Sequence, residues 1–185
     1  TPLYSSAASD MYKRQILKGL SAKAEPEQSE GPLSRLSPAA LVETVVERYR
    51  RAEIKVSIDT RGADVPALPR TPEVLHGLAN VLQNAIQFAR AGVDVSIVAS
   101  PDALDMEIRD DGPGFSSAIL DHLGEPYVST RSSEGSHMGL GVFIAINLLE
   151  RSGASLNFSN RPEGGANVRI RWPRGRLKPS GGETK

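Results

Sequence analysis

Apolar side chains recur along this chain with two periods, and the changes of period predict its helices and strands. Helical spacing predicts a helix that begins at Ser37-Pro38, a second over residues 72–91, and a third from about Gly139 to Ser152. Alternating or short apolar runs predict strands at about 53–59, 64–68, 93–98, 103–109, 154–160 and 166–172. This order predicts an α+β two-layer sandwich, with a mixed, mostly antiparallel sheet and helices packed on one face.

The sequence Asp110-Asp-Gly-Pro-Gly-Phe115 directly follows the strand predicted over residues 103–109. Gly112 and Gly114 lack a Cβ, so the backbone there can turn sharply and lie against a flat ligand. A carboxylate at Asp110 can accept a hydrogen bond from an exocyclic amine, which suits adenine. Asp-Gly and Pro-Gly are also ordinary turn formers, so the motif is informative only together with its neighbours.

Two asparagines, Asn80 and Asn84, lie four residues apart in the helix predicted over residues 72–91, where Thr71 is the predicted N-cap. This spacing places both carboxamides on one helix face. An unpaired buried amide costs about 1–3 kcal/mol, so the pair requires partners. An amide oxygen is a suitable ligand for Mg²⁺, whereas either asparagine alone would more simply support neighbouring backbone.

Gly139-Leu140-Gly141 opens the third predicted helix, which we expect Gly153 to end. A glycine-rich helix start presents free backbone N–H groups and the positive end of the helix dipole, which suits an anion. No Gly-Lys-Ser/Thr follows, so this is not a P-loop, and no short strand precedes it, so it is not a dinucleotide fingerprint. A hinge before a helix is the alternative.

In this order the three motifs resemble the N, G1 and G2 boxes of the ATP-binding catalytic domain of sensor histidine kinases. That domain has a Bergerat-type fold and belongs to the superfamily of the gyrase, Hsp90 and MutL ATPases. Glu125-Pro-Tyr127 is similar to the F box, and the predicted last strand ends in Trp172-Pro173, as in the family. Phe143-Ile-Ala and Leu148-Leu-Glu-Arg-Ser-Gly look most like the RegB/PrrB-type redox-responsive kinases.

The resemblance implies that the chain binds ATP and Mg²⁺. It implies that Asn84 coordinates Mg²⁺, that Asp110 receives the adenine amino group, and that the backbone at Gly112 and Gly114 closes over the base. Phe88 is then expected to pack near the base.

The resemblance also implies a phosphate side of the site. Gly139, Leu140 and Gly141 are expected to bind there, at the hinge of a lid over roughly residues 126–138. Arg131 is the candidate cation for the γ-phosphate, with a solvated loop arginine as the alternative.

The resemblance further implies transfer of phosphate rather than hydrolysis. Asn80 stands where related ATPases have a glutamate general base, so its amide favours transfer to a protein nucleophile. A lysine common in the family three residues after the second asparagine is Gln87 here, a loss of charge for which Arg90 can compensate.

Composition limits the classes of partner. The 185 residues carry 22 lysines and arginines and 22 acidic residues, so no overall charge indicates nucleic acid or an anionic membrane. The absence of cysteine excludes disulfides and zinc-thiolate sites. No apolar run approaches the ~20 residues of a membrane span, so we expect no membrane contact. The resemblance implies a cytoplasmic domain of an inner-membrane-anchored bacterial sensor.

The ends of the chain differ from residues 33–174, which are predicted to form the ATP-binding domain. Residues 1–15 are interpreted as an artefact or a disordered segment, residues 16–32 as a remnant of a dimerisation helix and a linker, and residues 175–185 as a disordered tail.

None of the three histidines, His76, His122 and His137, lies in a phosphoacceptor motif. The acceptor histidine is therefore expected on a dimerisation domain absent from this chain, in a homodimeric kinase that acts on a response regulator. The alternatives are a non-catalytic nucleotide-binding regulatory module and an anti-sigma-factor-type serine kinase.

Overall fold

The computed structural model describes residues 34–121 and 138–177, whose strands form a five-stranded and a two-stranded sheet. The strands are β1 (Arg35–Leu36), β2 (Lys55–Arg61), β3 (Leu68–Pro69), β4 (Gly92–Ala99), β5 (Ala103–Asp110), β6 (Ser155–Asn160) and β7 (Ala166–Pro173). The main sheet has the order β2-β4-β5-β7-β6, and β1 pairs with β3. Only the β2–β4 pair of the main sheet is parallel, which confirms a mixed, mostly antiparallel sheet.

Helices cover one face of this sheet, and two of them begin at the predicted caps. They are α1 (Pro38–Tyr49), α2 (Pro72–Phe88), α3 (Ser117–Asp121), α4 (Met138–Arg151) and α5 (Arg174–Leu177). The side chain of Ser37 accepts a hydrogen bond from the Ala40 N–H, and Thr71 does the same for Val74. Each cap satisfies a backbone donor that the first helical turn leaves free.

The core lies between the helices and the sheet. Leu82 of α2, Leu149 of α4 and Met106 and Trp172 of the sheet are fully buried. Gly77 of α2 faces the Leu149 side chain so closely that a Cβ there would collide with it. The small residue therefore lets α2 and α4 approach, and this contact places the N-terminal end of α4 beside the middle of α2.

The opposite sheet face carries paired charges on neighbouring strands. Arg171 binds Asp105 at 2.9 Å, and Arg169 binds Glu107 at 3.3 Å. The arginines of β7 are thus partnered by carboxylates of β5, as expected for a solvated strand face.

Three sequence predictions about element ends were wrong. Helix α2 ends at Phe88 rather than at residue 91, because Ala89 turns to extended backbone (φ −57°, ψ 146°). The strand predicted over residues 64–68 is only Leu68–Pro69, since residues 62–64 form a bend in which Asp64 has φ 53°. The predicted tail begins too early, because Arg174–Leu177 is helical and Leu177 is buried.

Several predicted features lie outside the described residues. They include the lid with Arg131, the F-box residues, His122 and His137. Within the described part of the chain, every helix is too short or too polar to cross a membrane.

Candidate functional site

The end of α2, the end of β5 and the start of β7 enclose one pocket beneath the loop of residues 110–115, called here the 110–115 loop. The residues that line this pocket are Asn84, Phe88, Asp110, Gly114, Phe115 and Ala166. Sequence analysis named the first four, from two motifs that lie more than twenty residues apart. The structure brings those motifs together because β5 runs beneath α2 in the sandwich.

Asp110 is the one buried charged residue in the described part of the chain, with 5% of its surface exposed. Its Oδ1 accepts hydrogen bonds from the N–H groups of Gly112 at 2.8 Å and Ala166 at 3.2 Å. Burial raises the pKa of this carboxyl above its ordinary value, although the two N–H donors oppose that shift. No described residue donates to Oδ2, so one oxygen of a pocket-lining carboxylate remains available to a ligand.

Asp111, unlike Asp110, binds the backbone that follows α2. Its carboxylate accepts from the N–H of Arg90 at 2.7 Å and from that of Ala91 at 3.0 Å. Burial opposes ionisation of Asp111, but these backbone donors outweigh it and lower the pKa of the carboxyl. Asp111 therefore connects the chain after α2 to the end of β5, which explains why the helix stops before Arg90.

The 110–115 loop lies directly against neighbouring backbone. A Cβ at Gly112 would collide with the carbonyl oxygen of Phe88, and Gly114 has φ +79°, which L side chains rarely adopt. Substitution at either glycine would therefore displace the loop from α2 or strain its turn.

Asn80 and Asn84 share one face of α2, and that face points at Gly141 of α4. A Cβ built on Gly141 would lie 3.3 Å from Asn84 Nδ2 and 3.5 Å from Asn80 Oδ1. Asn80 Nδ2 donates a hydrogen bond to the His76 carbonyl at 2.7 Å. Asn80 therefore supports neighbouring backbone, which is the alternative role given above for either asparagine alone. No hydrogen bond joins the Asn84 side chain to another residue of the described ranges, so its amide is available to a ligand.

The remaining predicted residues have different surroundings. Gly139 and Leu140 lie in the first turn of α4, directly before Gly141. Gln87 and Arg90 are both exposed at the end of α2.

Four residues that form or support the pocket were not predicted from the sequence. Phe115 and Ala166 line it, and Asn160 and Arg161 contact the 110–115 loop from the β6–β7 turn. A signal for the turn was present in Gly164-Gly165, but it did not indicate which loop the turn would meet.

The residues fit a nucleotide with a single magnesium ion better than they fit a metal held by protein alone. Residues 34–121 and 138–177 contain no group of three acidic, histidine or cysteine side chains placed to hold a metal. Mg²⁺ commonly takes one or two protein oxygens and completes its shell with phosphates and water, and the Asn84 amide can supply one such oxygen.

Comparison with known proteins gives the family. Residues 70–176 match the family described as histidine kinase-, DNA gyrase B- and HSP90-like ATPase. The chain belongs to this family. All described residues of the pocket lie within the matched range, and the family's ATPases make ATP the ligand implied for it.

Individual relatives are sensor kinases. The sensor histidine kinase RegB of Cereibacter sphaeroides is 39% identical over 187 residues, which cover 89% of this chain and 40% of RegB. The sensor histidine kinase GtrS of Pseudomonas aeruginosa is 32% identical over 135 residues, 72% of this chain and 28% of GtrS. The chain thus spans about two fifths of the length of RegB.

Solved structures give the same fold. The catalytic domain of histidine kinase ThkA matches with a TM-score of 0.61 and 17% identity, over 76% of this chain and 95% of that one. The mycobacterial sensor histidine kinase MprB matches with a TM-score of 0.58 and 21% identity, over 76% and 97%. These likenesses confirm the predicted α+β sandwich.

Proposed function

We propose that this chain is the ATP-binding catalytic domain of a sensor histidine kinase, which transfers the γ-phosphate of ATP to a histidine on a dimerisation domain. The observation that carries the proposal is the buried Asp110, whose Oδ1 is bound by backbone while Oδ2 is left for a ligand. Such a carboxylate oxygen accepts a hydrogen bond from the 6-amino group of adenine and repels the 6-oxo group of guanine.

Asn84 is the proposed protein ligand for Mg²⁺. Its amide faces the start of α4, where free helical N–H groups favour phosphate, so metal and phosphates would meet between the two helices. The ion would supply charge neutralisation during phosphoryl transfer, which depends on positioning and electrostatics more than on covalent help. Arg131 is the proposed cation for the γ-phosphate and Gly139, Leu140 and Gly141 the proposed phosphate-binding backbone.

The partners follow from the same proposal. The chain would act on a phosphoacceptor histidine of its own dimerisation domain within a homodimer, and the phosphoryl group would pass to a response regulator. RegB, of which the chain spans two fifths, is named a sensor kinase, so we propose the cytoplasmic part of a membrane-anchored sensor.

Phosphotransfer in trans tests the proposal. The chain is incubated with labelled ATP, Mg²⁺ and a separately purified dimerisation domain from RegB. We expect acid-labile, base-stable label on that domain, as phosphohistidine gives. ATP binding without transfer would instead favour the non-catalytic regulatory module, and acid-stable label on serine would favour a serine kinase.

Two asparagine variants test the magnesium assignment. Asn84→Ala should weaken binding of an ATP analogue in the presence of Mg²⁺ and have little effect with EDTA. Asn147→Ala is the matched control, because Asn147 is an exposed asparagine of α4 whose amide donates only to the Phe143 carbonyl. Equal affinity of the Asn84→Ala and Asn147→Ala variants for the magnesium complex would remove Asn84 from the metal role.

A further inference from the structure

The turn between β6 and β7, residues 160–166, contacts the 110–115 loop. Asn160 Oδ1 accepts a hydrogen bond from the Phe115 N–H at 2.7 Å, and Asn160 Nδ2 donates to the Phe115 carbonyl at 2.8 Å. The two residues are 45 positions apart in sequence. One carboxamide therefore satisfies both backbone groups of a single loop residue, which only a side chain with a donor and an acceptor can do.

Phe115 is one of the loop residues that line the pocket, and it is 9% exposed. Its ring packs edge-on against Phe158, with 5.7 Å between ring centroids and 78° between planes. Strand β6 thus fixes the side chain of Phe115 through Phe158 and its backbone through Asn160. The adjacent Gly114 also lies against the Asn160 amide, because a Cβ there would be 2.6 Å from Asn160 Oδ1.

The same turn holds Asp110. The Ala166 N–H donates to Asp110 Oδ1, and Arg161 Nη1 donates to the Asp110 carbonyl at 3.0 Å. Glu163 keeps the Arg161 guanidinium in place through an ion pair of 2.6 Å. The carboxylate and the loop that follows it are therefore held by one turn, so their separation is fixed.

We propose that Asn160 is a positioning residue that determines the preference for adenine by holding the 110–115 loop over the base. This inference rests on the proposed role of Asp110. A base confined between α2 and a fixed loop must present its 6-substituent to Asp110 Oδ2, so guanine meets a repulsive contact. If the loop can move, the base can shift away from that contact, and discrimination falls together with affinity.

The test compares three variants by titration with nonhydrolysable ATP and GTP analogues. Asn160→Ala removes both hydrogen bonds, and we expect an ATP affinity roughly ten-fold lower and a clear fall in the ratio of ATP to GTP affinity. Asn160→Asp keeps an acceptor for the Phe115 N–H but cannot donate to its carbonyl. Asn157→Ala is the control, because Asn157 is an exposed asparagine of the same strand that does not make the two hydrogen bonds to Phe115. It should bind both analogues as the unaltered chain does.

Amide hydrogen exchange at Phe115 gives a second readout that is independent of nucleotide. We expect the Phe115 N–H to lose protection in Asn160→Ala and to keep most of it in Asn160→Asp and Asn157→Ala. If the ratio of ATP to GTP affinity falls across the three variants in the same order as the protection of the Phe115 N–H, the positioning role is supported.

Three results would overturn the inference. The first is an Asn160→Ala variant that binds both analogues like Asn157→Ala. The second is an equal loss of ATP and GTP affinity with a lowered melting temperature, which indicates a merely structural residue. The third is an unaltered chain that binds ATP and GTP equally, and that result alone also refutes the proposed role of Asp110.

Discussion

At the scale of single residues, Asp110 combines an internal and an external role on its two carboxylate oxygens. Asp110→Asn can keep Oδ1 as the acceptor for Gly112 and Ala166 while replacing Oδ2 with an amide that donates. A donor facing the adenine amino group leaves both unsatisfied, so ATP affinity should fall by a factor of about 10 to 100. Calorimetric titration measures it, with Asp102→Asn, at an exposed aspartate that does not line the pocket, as the control. Normal ATP binding and continued rejection of GTP would place adenine recognition elsewhere.

Asp110→Asn, which should lower the affinity for ATP, should raise the stability of the fold relative to the unaltered chain as pH rises. Burial raises the pKa of Asp110, so the folded state binds a proton more readily than the unfolded state. Ionisation of Asp110 therefore lowers the free energy of unfolding as pH rises from about 3.9 through the raised pKa of Asp110. The free energy of unfolding stays lower at every pH above that pKa. Asparagine does not ionise, so the stability of Asp110→Asn relative to the unaltered chain should increase as pH rises from about 3.9 through the raised pKa. Urea denaturation at several pH values measures this difference, and a difference that is independent of pH would contradict it.

The residues that sequence analysis could find are those whose chemistry is visible locally. Asp110 stands out because glycines follow it, and Asn84 because a polar side chain interrupts an apolar helix face. Asn160 and Asp111 give no such signal, since each acts on backbone far away in sequence, at Phe115 and at Arg90. Hydrogen bonds from a side chain to distant backbone depend on the fold and not on the partner's residue type, so no pattern in one sequence predicts them.

At the scale of elements, the site depends on how closely α4 approaches α2. Gly141→Ala adds a methyl group 3.3 Å from Asn84 Nδ2, which the amide can accommodate only by moving. Alanine also has a higher helix propensity than glycine by about 1 kcal/mol, so the variant should be as stable as the unaltered chain or more so.

We therefore expect Gly141→Ala to separate stability from binding. Affinity for the magnesium complex of an ATP analogue should fall about three- to ten-fold, while the urea midpoint stays level or rises. Asn147→Ala in the same helix is the control, since it raises propensity without touching Asn84. Unchanged affinity in Gly141→Ala would mean that the asparagines do not need this close approach.

Element types were predictable here, but the ends of some elements were not. The strand predicted over residues 93–98 alternates clearly, and the strand predicted over 103–109 alternates with one slip. The two pair antiparallel, with Ile97 opposite Met106. Helix α2 stops before residue 91 because Asp111, 20 residues on, accepts the N–H groups that another helical turn would use. Residues 64–67 have apolar positions without a strand partner, because β3 pairs only with the two residues of β1.

At the scale of the whole molecule, the two ends of the described domain meet. Leu177, in the helical turn α5, is 4% exposed, and its carbonyl accepts from Arg35 Nη2 at 2.7 Å. Arg35 also donates to the Ala67 carbonyl, directly before β3, and β1 pairs with β3, so β1 is bound to both β3 and α5. The short elements β1 and α5 thus contribute to the packed domain, although the sequence of α5 (Arg174–Leu177) resembles a basic tail.

Truncation of Leu177 should therefore destabilise the domain. Leu177→Ala is expected to lower the free energy of unfolding by about 2–4 kcal/mol, as for other buried leucines. Gly175→Ala is the matched control, because a Cβ there meets nothing within 4 Å. Urea denaturation measures both variants, and equal stabilities would show that α5 does not belong to the cooperative unit.

The chain acting alone should neither phosphorylate itself stoichiometrically nor hydrolyse ATP at more than a trace rate. His76, the one histidine within the described residues, lies in α2, and none of the three is in an acceptor motif. Asn80 cannot activate water, since an amide does not titrate near neutral pH, and its Nδ2 is already bound to the His76 carbonyl. Incubation with ATP labelled at the γ-phosphate measures both activities, and addition of the RegB dimerisation domain is the positive control. Stoichiometric, acid-stable label on the chain alone would indicate a serine or threonine kinase. Rapid release of phosphate would require a general base other than Asn80.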